Sequence, residues 1–192
     1  EKVMRVVRML KNLIKIKNVI IYIIAFMIST IGMGQEVSPF SIAIVAASLA
    51  GGVPAIMVVA AGLLGNIIGV GATGALNYIL IILVLLILMC IKPPKENDQY
   101  KNEQIQIAGH VFVSILLVML AKLILTRFTV ADMLMHITLA IFSVVFYKIF
   151  VNSLIVIQEM MEKEAFSIEE VLGASLLVSI AFSALGDFSI LG

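Results

Sequence analysis

Charge is what this chain has least of. Only 13% of its 192 residues are Asp, Glu, Lys or Arg and 62% are hydrophobic, which leaves too little polar surface to cover a soluble globule of this size. The chain therefore reads as an integral membrane protein. Tryptophan is absent, and the single Cys90 excludes an internal disulfide; lying at the end of an apolar run, it reads as a small buried hydrophobe. No stretch alternates polar with apolar residues, which excludes barrel strands and leaves the all-α class.

Chemistry-bearing residues are equally sparse. His110 and His136 are the only histidines, and the expected topology sets them near opposite membrane faces, so they share no metal. There is no Walker-type loop, no nucleophile elbow and no pair of metal-binding aspartates, so nothing in these residues supports catalysis. Every acid falls at an expected helix end or loop, whereas an ion or proton pathway needs one in mid-span.

Long apolar runs are what the chain does have. The organising stretch is Gly34 to Gly74, apolar and rich in Gly, Ala and Ser. Ser38-Pro39 and Gly51-Gly52-Val53-Pro54 each place a proline where a helix begins. Residues 39–50 then make roughly 18 Å of helix at ~1.5 Å per residue, short of the ~30 Å hydrocarbon core, so this arm needs neighbours or is re-entrant. Ala43, Ala47 and Gly51 recur every four residues on the first arm; Ala61, Gly65 and Gly69 do so on the second. Small residues at that spacing predict closely packed helices. Asn66 and Asn77 fall toward the outer half of neighbouring spans and are expected to hydrogen-bond to each other.

The full expectation is a polytopic helical bundle of about seven transmembrane helices preceded by an amphipathic interfacial helix. Residues 1–17 form the interfacial helix, with Val3, Val6, Val7, Leu10, Leu13 and Ile14 opposite Lys2, Arg5, Arg8, Lys11 and Lys15. Each cation near anionic lipid is worth about 1 kcal/mol. Basic residues interleaved with large aliphatics make a nucleic-acid arm a poor reading. The transmembrane domain, 18–192, has spans near 18–33, 39–50, 54–70, 74–91, 106–125, 132–151 and 168–185. Thr129 with Asp132 and Ser167 with Glu170 are capping boxes that open the last two. Asn152 to Phe166 is read as a connector, and Lys122 as a residue that snorkels into the interface. Ser175, Ser179 and Ser183, with Asp187 next, give the last span one polar face. Eleven of the thirteen Lys and Arg then lie on the cytoplasmic side, Lys122 and Arg127 being the exceptions, and the positive-inside rule orients the N-terminus in the cytoplasm. Starting without Met and stopping just after an apolar run, the chain is expected to be the N-terminal part of a longer protein.

Two short motifs carry a resemblance. Gly34-Gln35-Glu36-Val37-Ser38-Pro39-Phe40 precedes the Gly/Ala-rich hairpin, and Ser167-Ile168-Glu169-Glu170-Val171 opens a helix closing on Leu185-Gly186. In residues, order and spacing the chain resembles the N-terminal membrane region of the stage II sporulation protein E family, septum-associated phosphatases of endospore-forming bacteria. Glu36, Pro39, Phe40, Glu169 and Glu170 match the family's segments. The resemblance implies further spans past Gly192, then a region involved with the tubulin-like division protein, then a PP2C-type, manganese-dependent serine phosphatase domain. That phosphatase dephosphorylates an anti-anti-sigma factor and so activates the forespore sigma factor. No catalytic residue or cofactor is carried over to this chain. The function implied is membrane anchoring and septal placement of the phosphatase, with the bilayer, further copies of the chain and division-septum proteins as partners. The competing reading is a small-solute transporter or vitamin-binding membrane subunit, with a pocket near Asn66, Asn77 and Asp187.

Overall fold

The computed structural model describes residues 2–33, 36–93 and 100–162. The expected span 168–185, its Ser167–Glu170 capping box and the serine face ending at Asp187 lie outside the described residues. What is described is all-helical: α1 (Lys2–Leu13), α2 (Ile16–Ser29), α3 (Pro39–Gly51), α4 (Ala55–Gly69), α5 (Ala72–Ile91), α6 (Tyr100–Leu125) and α7 (Val130–Glu162). By length and composition three of these can cross a membrane, in α5, α6 and α7, or four if α1 and α2, which meet at 57°, count as one bent span. The 13 and 15 residues of α3 and α4 fall short of a crossing.

Local chemistry explains the breaks. The α3–α4 turn passes through Gly52 at φ +69°, the left-handed C-cap conformation that glycine adopts without strain. Gly71 at φ +91° serves the α4–α5 turn in the same way. Thr129 and Asp132 form the expected capping box: the Asp132 carboxylate accepts from Thr129 N at 2.9 Å, and Asp132 N donates to Thr129 Oγ1 at 3.2 Å. From there α7 runs unbroken to Glu162, through the stretch expected as a connector, because no glycine or proline interrupts residues 130–162. Ser38 occupies the N-cap of α3, yet its hydroxyl donates to Ile28 O at 3.3 Å instead of capping.

The bundle is wrapped around its shortest embedded helix. Residues 37–48 are all buried, and α3 packs against α2, α4, α5, α6 and α7. The core runs from Ile21, Ala25 and Ile28 through Ile42 to Ala47, and on to Tyr78, Ile81 and Leu85, Val111 and Ile115, and Leu139 and Tyr147. Phe40, at the start of α3, meets the α7 aromatic ladder, with its ring 4.5 Å from Phe146 and 6.4 Å from Phe150. The outside is apolar as well: Leu64 and Ile68 on α4, Leu83 and Ile87 on α5, Ile124 on α6 and Ile141 on α7 are exposed. An exterior of that kind suits lipid and not water. Cys90, expected as a buried hydrophobe, is exposed on this surface, so its apolar run is explained by lipid contact.

Candidate functional site

Val37 and Ser38, just ahead of α3, are buried in the bundle, and buried polar backbone needs partners. Ser38 N donates to Asn66 Oδ1 of α4 at 2.9 Å, and Asn66 Nδ2 donates to Gly62 O at 2.8 Å. Asn66 is fully buried, so its amide holds the α3 N-terminus to α4 with no competition from solvent. Just ahead, Met33 and Glu36 form an isolated antiparallel β-bridge. Val37, Ser38, Pro39 and Phe40 are buried one after another.

Glu36 begins a polar knot at the same end of the bundle. Its Oε2 accepts from Asn77 Nδ2 of α5 at 2.9 Å and lies 3.9 Å from Lys122 Nζ of α6. Lys122 Nζ is 3.2 Å from His136 Nε2 of α7, and His136 Nδ1 is 2.8 Å from Asp132 O. An ammonium donates only, so Nε2 must accept and the ring proton sits on Nδ1, where it meets the Asp132 carbonyl. The Phe128 ring packs edge-on to His136 at 5.2 Å. Four elements, the α2–α3 connector, α5, α6 and α7, are thereby tied at one point.

Two expectations change here. Lys122 does not snorkel outward: its side chain, only about a fifth exposed, turns inward to Glu36 and His136 because these supply a counter-charge and an acceptor. Asn66 and Asn77 do not pair with each other, because Ser38 N and Glu36 each offer a closer partner. His110 is occupied separately, with Nδ1 2.6 Å from Gln106 O one turn earlier in α6. None of the long-range bonds could be read from the chain, since their partners stand 28, 41 and 14 residues apart. The signal available was that polar side chains were rare and each stood at a helix end.

The small residues sit where backbones approach. A Cβ on Gly65 would lie 2.5 Å from Ser29 Cβ and 2.6 Å from Phe26 O, and one on Gly69 would collide with Thr30 O. Gly62, which the four-residue series passes over, faces Tyr78 Oη, and Tyr78 in turn donates to Val59 O at 2.9 Å. Gly65 and Gly69 thus face α2, and Gly62 faces α5, within one chain. Ala43 and Ala47 are fully buried in α3, Ala61 is half-buried, and a Cβ added to Gly51 would only just reach Leu154. Arg5, Arg8, Lys11 and Lys15 are exposed along α1 and its end; Lys2 also lies in α1. Of the family-like residues Glu169 and Glu170 lie outside the described residues. Among the described residues no group of three or more His, Cys, Asp or Glu is placed to hold a metal ion.

An all-helical bundle with an apolar exterior, a charge-free central helix and polar groups spent on one another is a helical membrane domain. The family model described as SpoIIE, N-terminal domain, matches residues 1–191, and the chain belongs to that family of sporulation membrane domains. No curated protein and no solved structure matches it.

Proposed function

We propose that this domain anchors a sporulation phosphatase in the cell membrane and places it at the division septum. The observation that carries the reading is the family match over 191 residues, joined to a bundle whose buried polar groups hold helices together. Asn66 and Asn77, which a solute pocket would need to keep free, are engaged inside the fold. In this reading the catalytic work, a PP2C-type serine phosphatase with manganese acting on an anti-anti-sigma factor, belongs to a downstream domain.

In this proposal the chain crosses the membrane seven times with its N-terminus in the cytoplasm, a reading supported by the cation asymmetry, in which α3 and α4, too short to cross alone, count as crossings only with neighbouring helices around them. The Gly and Ala faces act as helix-packing surfaces inside the protomer, and the exposed apolar faces of α4 to α7 are where lipid, further copies of the chain and septal proteins meet it. The test is microscopy of the domain joined to a fluorescent reporter in place of its downstream part. Septal enrichment in sporulating cells is expected; an even distribution around the membrane would refute placement by this domain. A tag within residues 94–99 should be found in the cytoplasm.

A further inference from the structure

We infer that α1 is a sensor of anionic lipid, held at a set angle on the membrane surface by an asparagine elbow. It rests on the membrane-anchor reading and adds to it the chemistry of the surface met by α1.

Nearly all of α1 lacks a protein partner. Val3 is 77% exposed, Ile14 is 70% exposed, and Val6, Val7 and Leu10 are exposed between them, on the face opposite Arg5, Arg8 and Lys11. An apolar stripe backed by cations demands an occupant that is apolar on one side and anionic on the other. Residues 2–17 contain six cations and no acid, so the complementary surface is negative throughout. Anionic headgroups above acyl chains have that composition. Position agrees, because α1 leads directly into the embedded helix α2.

The elbow gives the interaction its geometry. Lys15 is extended at φ −57°, ψ 134°, which ends one helix and starts the next. Across that break Asn18, 3% exposed, donates its amide to Asn12 O at 2.6 Å. The bond fixes α1 at 57° to α2, and an α2 tilt of about 30°, within the range of membrane helices, lays α1 in the membrane plane. Without the break α1 would stand off the membrane as a straight extension of α2, and its apolar stripe would face water.

The experiment uses the whole chain with Cys90→Ser and Val7→Cys, labelled with an environment-sensitive dye, in nanodiscs of phosphatidylcholine with or without phosphatidylglycerol. With the anionic lipid the dye should be shielded from aqueous iodide and quenched by shallow, not deep, lipid-borne quenchers. Arg5→Glu with Arg8→Glu and Lys11→Glu should cut the preference for anionic discs by at least about tenfold. Asn18→Leu should retain the preference while broadening the depth. Iodide access in both lipids overturns the inference. So does shielding indifferent to lipid charge, which would mean that protein covers α1, and so does quenching only by deep probes, which would make α1 and α2 one broken span. A dye at Leu83→Cys on α5 tests the anchor reading separately, since it must be deep in every disc.

Discussion

Two helices of nearly equal length meet opposite fates: most of the described side chains of α1, with 12 residues, are exposed, while α3, with 13, is buried from Pro39 to Ser48. Both are too short to cross a bilayer alone. Their composition decides the outcome. Helix α3 has no charge, and its Ala, Ser and Gly positions let five neighbours come close; its proline start and Gly52 stop leave few backbone groups to satisfy. Helix α1 sets an apolar stripe against a row of cations, and the described structure leaves that stripe uncovered. A short helix in a membrane protein is thus either enclosed by its neighbours or laid on the surface.

The largest test of that contrast is the glycine seam that lets α4 approach α2. Gly65→Leu together with Gly69→Leu forces side chains into the Ser29 and Thr30 backbone, and should cost about 3 kcal/mol or more, read as a collapse of the folded fraction in detergent. Next comes α3 itself. Ala47→Leu overpacks a fully buried site and should cost about 1–3 kcal/mol, whereas Val7→Leu on α1 should stay within about 0.5 kcal/mol; thermal unfolding of the pair sharpens the comparison directly. Asn66→Leu leaves Ser38 N without its acceptor and should lower stability by about 1–3 kcal/mol.

Smaller effects are expected at the polar knot. Glu36→Gln preserves an acceptor for Asn77 while removing the charge facing Lys122, and a double-mutant cycle with Lys122→Met should give a coupling of up to about 1 kcal/mol. Gly109→Ala is the control of opposite sign. A Cβ there meets nothing within 4 Å, so the change should raise stability by about 0.5–1 kcal/mol.

How much of this was legible follows from the range of each interaction. Helix starts at Pro39 and Thr129 were readable because a first-turn proline and a capping box are local chemistry, and the amphipathic α1 was readable because its pattern repeats every turn. Helix α7 continues past the expected span because hydropathy marks where lipid ends and not where a helix does. Gly62 was missed because the four-residue series began at Ala61, although Tyr78 determines which small residue is needed. The inward turn of Lys122 was hidden for a different reason: snorkelling and internal pairing look alike until Glu36 and His136 are brought beside it.

Lipid-phase carbene labelling of the reconstituted chain, read by mass spectrometry, tests the enclosed central helix most directly. Label should accumulate at Leu64, Leu83 and Ile141 and spare residues 39–48. Labelling of 39–48 as heavy as that of α4 would contradict a bundle built around α3.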